Sequence, residues 1–126
     1  MGRRSRQRTR EAAAAGGEDP GRAPSSSYLD PAGDELVLRG SLTASTRRQY
    51  AEVRAGSPLS REDAWQRAAE YLFERLAVRW TIAGLPLSDQ RELLARYRAA
   101  SRAERDWVRA TLREHCAQHF PELPAP

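Results

Sequence analysis

The stretch SREDAWQRAAEYLFERLAVRWTIAG, residues 60–84, decides the fold that the sequence predicts. Its apolar side chains recur at steps of three and four residues, which is the spacing of one face of an α-helix. At 100° per residue they fill an arc of about 140°, enough for a stripe that faces a core. The stripe consists of Trp65, Ala68, Ala69, Leu72, Phe73, Leu76, Trp80 and Ala83. We therefore predict one continuous helix, capped by Ser60 and ended by Gly84 and the proline that follows it.

Segments on both sides of this stretch are also predicted to be helical. A first helix covers about residues 44–55, and the Thr43 hydroxyl can cap its N-terminus. A third helix begins at Ser88 or Asp89 and stops near Ala100.

A fourth helix follows directly. Ser101-Arg102-Ala103-Glu104 is a capping box, in which the first and last side chains bond each other's backbone N–H groups. This motif predicts a new helix that ends before Pro121, although one longer helix bent at Ser101 also fits the sequence. No strand pattern of useful length is visible. The predicted fold is all-α, a small three- to four-helix bundle with a disordered N-terminal segment.

The composition divides the 126 residues into three regions. Residues 1–35 hold few bulky apolar side chains and several Pro, Gly and Ser, so they cannot bury enough surface to offset chain entropy, and we predict disorder. Residues 36–120 form the predicted helical domain, which opens with a short extended arm at residues 36–42. Residues 121–126 are predicted to be a C-terminal tail in a loop conformation.

The charged residues and the single cysteine set limits on the class of protein. All 21 basic residues are Arg, against 17 acidic residues, and the formal net charge is +4. Cys116 is the only cysteine, so no disulfide can form within the chain. The sequence has neither the apolar segment of a secretory signal nor the run of about 20 apolar residues that spans a membrane. We therefore predict a cytoplasmic protein without a membrane partner.

The densest group of residues that could carry chemistry is His115-Cys116-x-x-His119. Two imidazoles four residues apart project from one helix face and can share a metal ion. A structural metal site needs four ligands, and no second Cys/His cluster exists, so we interpret both as packing at the edge of the core. Cys116 lies near a helix C-terminus, which disfavours a thiolate. Glu70 and Glu74 are interpreted as part of a solvated face. We predict no catalytic residue, metal or cofactor.

A second apolar stripe on the long predicted helix indicates a protein partner. Ala64, Tyr71, Val78 and Ile82 lie on the side that faces away from the first stripe. One helix cannot turn both stripes into the same core, so the second is covered by neighbouring helices or by another chain. A core built from about 80 ordered residues is marginal, and oligomer formation is one remedy. We predict partner binding or self-association through Tyr71, Val78 and Ile82.

The N-terminal segment carries the best signal for nucleic acid. Its Arg residues alternate with small polar residues and form a flexible polycation that can displace counterions from phosphate. The same stretch has no aromatic side chain, so base stacking is not indicated. The residues predicted to contact nucleic acid are Arg3, Arg4, Arg6, Arg8 and Arg10.

Residues 85–98, LPLSDQRELLARYR, resemble the opening of the C-terminal DNA-binding region of bacterial sigma factors. That family continues with a glycine-containing turn and two more helices, the last of which reads the major groove. Here Ala99-Ala100-Ser101 stands in place of that turn, and one helix too few follows. We interpret the resemblance as shared helix composition rather than as kinship.

The two-striped helix, in a sequence without a catalytic constellation, favours a small non-catalytic helical interaction or regulatory module. Its partner is either a second copy of the chain or another protein. The alternative is a nucleic-acid-binding accessory protein that uses its Arg-rich N-terminal tail.

Overall fold

A computed structural model describes residues 24–55 and 61–126 of the chain. These residues form four strands and four helices. In chain order the elements are β1 (Ser26–Leu29), β2 (Glu35–Leu38), α1 (Ala44–Ala55), α2 (Arg61–Leu76), β3 (Ala77–Ile82), β4 (Leu85–Leu87), α3 (Gln90–Arg98) and α4 (Arg102–His119). The strands form one antiparallel sheet in the order β1-β2-β3-β4. The fold is mixed α and β, and the predicted all-α helical bundle is wrong.

The prediction fails where the second helix ends. α2 stops at Leu76, and β3 begins at the next residue. Residues 78–82 are rich in β-branched and aromatic side chains, which favour a pleated strand. Trp80 matches the helical spacing by coincidence, because it comes four residues after Leu76; in the strand it still faces the core and is 1% exposed. Pairing of β3 with the distant β2 overrides the local helical pattern.

A tight loop, Asp30-Pro31-Ala32-Gly33-Asp34, joins β1 to β2. The Asp30 carboxylate accepts hydrogen bonds from the backbone N–H groups of Ala32 and Asp34, at 2.8 and 3.0 Å. Gly33 has a φ of 90°, a left-handed conformation that favours glycine. This hairpin lies partly inside the N-terminal segment that the composition predicts to be disordered, and β2 occupies the predicted extended arm. Asp, Pro and Gly, which make up most of this loop, are typical of the tight turns that connect the two strands of a hairpin.

β3 and β4 form a second hairpin around Ala83 and Gly84. These residues have φ values of 52° and 80°, and such a pair of positive φ angles is typical of the two-residue turns that join antiparallel strands. The Ala83 N–H donates to Oδ1 of Asp34 at 3.0 Å, which links the two hairpin loops. A glycine shortly before a proline also marks helix ends, so the same residues predict a helix terminus when the sequence is considered alone.

The helices cover one face of the sheet. That face carries Leu36 and Leu38 of β2 and Trp80 of β3, each at most 1% exposed. The Trp80 indole meets Phe73 of α2 edge to face, with ring centroids 5.6 Å apart. Phe73 in turn stacks on Tyr97 of α3, with centroids 5.0 Å apart. This series of aromatic contacts joins the sheet to two helices and forms the centre of the core.

Arg96 links three elements at the edge of this core. Its guanidinium carbon lies 5.3 Å from the centroid of the Trp80 ring. The same guanidinium donates to Oε2 of Glu104, the residue that completes the capping box of α4, at 2.8 Å. This hydrogen bond lowers the pKa of Glu104. The start of α4 is thereby held against α3 and β3.

The predictions for the other three helices are confirmed, whereas Ser60, the predicted cap of the long helix, lies outside the described residues. α1 spans the predicted residues, and the Thr43 hydroxyl accepts a hydrogen bond from the N–H of Thr46 at 3.1 Å. Asp89 caps α3, and the capping box of Ser101 and Glu104 opens α4, so the two are separate helices. No helix in the described parts of the chain combines the length and the apolar character needed to cross a membrane.

Trp80 and Trp65 should respond differently to truncation. The sequence places both indoles in the core, which is wrong for Trp65, because its side chain is 45% exposed. We expect Trp80→Ala to lower the free energy of unfolding by about 3–5 kcal/mol, since it leaves a cavity beside Phe73. Trp65→Ala should cost less than about 1 kcal/mol. Urea unfolding followed by circular dichroism measures both losses, and equal losses would contradict the packing of β3 against α2.

Candidate functional site

The three residues predicted to bind a partner do not share a helix face. Tyr71 lies on α2, whereas Val78 and Ile82 lie on β3, because the helix ends between them. Tyr71 and Ile82 are half-buried and pack against the hydrophobic core. Val78 is half-buried at the irregularity where the register of β3 against β2 shifts. The second helical stripe therefore does not exist, and Tyr71 lines a groove to which Val78 and Ile82 do not contribute.

Tyr71 is held in place by residues of two helices. Its hydroxyl donates to Oε1 of Gln49, on α1, at 2.9 Å. Its ring stacks against Tyr50, also on α1, with centroids 6.4 Å apart and the planes 21° from parallel. The guanidinium carbon of Arg75 lies 5.3 Å from the Tyr71 ring centroid. The tyrosine is thus fixed in one orientation at the junction of α1 and α2.

A groove of about 520 Å³ lies beside Tyr71, between α1, α2 and α3. Each helix contributes one apolar side chain to its lining: Val53 from α1, Tyr71 from α2 and Leu94 from α3. The charged part of the lining consists of Glu52, Arg67, Glu70, Glu74 and Arg98. We call this feature the Tyr71 groove. A volume of several hundred Å³ is in the range of ligand-binding clefts.

The two cations of the Tyr71 groove are already paired with carboxylates. Arg98 donates to Oε1 of Glu70 through both Nε and Nη2, at 3.1 and 2.9 Å. This interaction raises the pKa of Arg98. Arg67 forms an ion pair with Asp63, one turn earlier on α2, at 3.0 Å. Both guanidiniums are therefore largely neutralised within the protein.

Two carboxylates of the groove remain without such a partner. No cation of the described residues is in ion-pair contact with Glu52 or Glu74, which lie on α1 and α2. The predicted solvated face of Glu70 and Glu74 is thus one wall of a groove. The groove combines an apolar lining with excess negative charge, a combination that attracts a cationic group attached to an apolar one.

His115 and His119 have structural contacts. His115 is fully buried; its Nε2 donates to the Arg39 carbonyl at 2.5 Å, and its Nδ1 accepts from the Tyr28 hydroxyl at 2.7 Å. Because a carbonyl only accepts, the ring proton resides on Nε2. His119 Nε2 lies 3.3 Å from the Ser26 hydroxyl. These hydrogen bonds fasten β1 and the residue after β2 to α4.

The other residues that could carry chemistry do not converge. Within residues 24–55 and 61–126, no group of three or more His, Cys, Asp or Glu side chains is placed to hold a metal ion. Cys116 is 1% exposed, and burial raises the pKa of its thiol to about 11. Such a thiol stays protonated at neutral pH and is a poor nucleophile. Cys116 belongs to the hydrophobic core.

Val53, Leu94 and Arg98 share a groove that the sequence does not predict. Val53 is one of the few large apolar side chains of the first predicted helix, and Leu94 is one of those of the third. Only the packing of α1 and α3 against α2 brings them to one groove. Spacing within each helix carries no information about this meeting, so no local signal could have found it.

The buried imidazole of His115 should make the stability of the protein depend on pH. Burial lowers the pKa of His115 below the unfolded value of about 6.5. As the pH falls through that value, the unfolded chain takes up a proton before the folded chain does, so the free energy of unfolding decreases. We expect this decrease between about pH 7.5 and about pH 5.5 in chemical denaturation, with a smaller decrease in His115→Gln, which keeps a donor and an acceptor.

His119→Gln is the matched control, because it leaves the buried imidazole in place and should retain most of the pH dependence. If His115→Gln and the unmodified protein lose stability equally over this range, the buried imidazole does not cause the loss.

Comparisons of the chain with protein-family models, with curated proteins and with solved structures found no match.

Proposed function

We propose that this chain is a small non-catalytic interaction or regulatory module that binds a segment of a partner protein in the Tyr71 groove. The observation that carries the proposal is the composition of this groove. Three helices each supply an apolar side chain, and two carboxylates beside them have no cation of the described residues in contact. Tyr71, one of the three residues that the sequence predicts to bind a partner, lies in the proposed interface. Val78 and Ile82 have no part in it, because they lie on β3 and do not line this groove.

The chemistry of the groove defines the partner segment. An apolar side chain would rest on Val53, Tyr71 and Leu94, and a Lys or Arg would meet Glu52 or Glu74. Desolvation of the apolar contacts supplies most of the affinity in such interfaces. The exposed charges contribute mainly to selectivity and to the rate of association, since surface ion pairs are worth about 0–1 kcal/mol. A segment with acidic side chains should be rejected.

Tyr71 is suited to act as the anchor of the interface. Tyrosine presents a large rigid surface and loses little conformational entropy on binding. Here its orientation is already fixed by Gln49, Tyr50 and Arg75. Pre-organisation of this kind lowers the entropic cost of association. The proposed location is the cytoplasm. With a single cysteine the chain forms no internal disulfide, so its folding does not need an oxidising compartment.

Charge reversal in the Tyr71 groove should abolish selectivity for basic segments. The probes are two fluorescent octapeptides with the same apolar residues, one with two Arg and one with two Glu. We expect the Arg peptide to bind more tightly than the Glu peptide, because Glu52 and Glu74 are not in ion-pair contact with any cation of the described residues. The double variant Glu52→Arg, Glu74→Arg should weaken binding of the Arg peptide at least about tenfold, or 1.4 kcal/mol. Fluorescence anisotropy measures both affinities.

Glu114→Arg is the matched control, because Glu114 is an exposed carboxylate of α4 outside the groove. It should leave peptide affinity nearly unchanged. Equal binding of the two peptides, or equal effects of the groove and control variants, would refute the proposal. If the occupant is instead a second copy of the chain, light scattering at micromolar concentration will show a dimer that Tyr71→Glu dissociates.

Nucleic-acid binding remains the alternative function. The residues that motivate it, Arg3, Arg4, Arg6, Arg8 and Arg10, lie outside the described residues. If they contact phosphates, the logarithm of the binding constant should fall with the logarithm of salt concentration by about 0.9 per contact on duplex DNA. Deletion of residues 1–10 should then remove the binding of a labelled 20-base-pair duplex in fluorescence anisotropy. Equal affinity of the full and shortened chains would exclude this role for the tail.

A further inference from the structure

A second cavity, of about 550 Å³, shares the Arg98–Glu70 ion pair with the Tyr71 groove and extends between α2 and α4. Its lining includes Arg98, Arg102, Arg105 and Arg109, and we call it the arginine cavity. Four guanidiniums in one cavity of a small protein repel each other unless anions accompany them. The carboxylates of the lining are Glu62, Glu70 and Asp106, and only Glu70 is in ion-pair contact with one of these arginines among the described residues.

The arginines of α4 form one row. Arg102, Arg105 and Arg109 follow one another at steps of three and four residues, so they lie on the same face of the helix. Among the described residues, no carboxylate is in ion-pair contact with any of the three. Arg105 donates one hydrogen bond, from Nη1 to the carbonyl of Ala100, at 2.7 Å. Apart from this bond, no hydrogen bond joins the three guanidiniums to an acceptor among the described residues, so the row has donors that are not used.

Arg109 provides a second, independent observation. Its Nε is buried, and in the part of the chain that the structure describes no acceptor reaches it. Buried guanidinium nitrogens are normally hydrogen-bonded, because loss of hydration without a replacement acceptor is unfavourable. The start of α4 adds to the positive potential, since Arg102 is in the first turn of an 18-residue helix. The arginine row of α4 thus offers more donors than the described residues use, which suits an anion with several acceptor oxygens.

We propose that the arginine cavity binds a small phosphorylated metabolite, whose phosphate meets Arg102, Arg105 and Arg109 and whose hydroxyl groups donate to Glu62 and Asp106. Guanidinium groups match the geometry of phosphate oxygens and bind them in pairs. The two carboxylates would repel a ligand that consists of phosphate alone, but they accept hydrogen bonds from hydroxyl groups next to it. A volume of about 550 Å³ suits a small molecule.

The test is isothermal titration calorimetry of the full chain with ribose 5-phosphate, inorganic phosphate and ribose. Saturable binding is expected for ribose 5-phosphate, weaker binding for inorganic phosphate and none for ribose. Arg102→Gln and Arg109→Gln should each weaken the binding of ribose 5-phosphate at least about tenfold. Arg102 is exposed, so its replacement should leave the thermal midpoint of the free protein unchanged and exclude misfolding as the cause.

Arg113→Gln is the matched control, because Arg113 is an exposed arginine of α4 outside the cavity, where it contacts the Pro126 carbonyl. The double variant Glu52→Arg, Glu74→Arg should also leave ribose 5-phosphate binding intact, which separates this site from the Tyr71 groove. No saturable binding of ribose 5-phosphate at millimolar concentration would overturn the proposal. Binding that Arg102→Gln and Arg109→Gln leave unchanged, or that inorganic phosphate matches, would overturn it as well.

Discussion

The pairing of β3 with β2 is the contact on which the rest of the structure depends. It sets Trp80 opposite Leu36 in the ladder and turns both side chains toward the helices, where each is at most 1% exposed. Trp80 then contacts Phe73 of α2 and the guanidinium of Arg96 on α3. The face of the sheet that carries these side chains is apolar and would be unstable if it were exposed to water. The sheet therefore needs the helical layer, and the helices need the sheet to cover their apolar sides.

The long helix α4 connects elements that are far apart in the sequence. Near its C-terminus His115 hydrogen-bonds to Tyr28 of β1 and to the Arg39 carbonyl after β2. Near its N-terminus, Glu104 accepts a hydrogen bond from the guanidinium of Arg96 on α3. One helix thus holds the first hairpin and the third helix at the same time. Both ends of α4, which supplies one wall of the arginine cavity, are thus tied to other elements.

The Arg98–Glu70 ion pair lines two cavities of opposite character. In the Tyr71 groove, Glu52 and Glu74 lie next to apolar side chains and are not in ion-pair contact with any cation of the described residues. In the arginine cavity, Arg102, Arg105 and Arg109 are without carboxylate contacts in the described part of the chain. Segregated charges of opposite sign are less stable than mixed ones. A small domain that keeps its acidic and basic side chains in separate cavities favours binding of a cationic ligand in one cavity and an anionic ligand in the other. Both proposals rest on this separation of charge.

The sequence by itself determined the features that depend on neighbours within about four residues. The capping box of Ser101 and Glu104 and the span of α1 were predicted, and Asp89 was one of the two predicted caps of α3, because side chains close in sequence satisfy the orphan N–H groups of a helix. Tertiary structure decided the conformation of the chain after Leu76. Helix and strand both place Trp80 in the core, and only the ladder to β2 distinguishes them. Tertiary structure also decided both cavities, because they form where side chains of different helices meet, and periodicity along one helix carries no information about its neighbours.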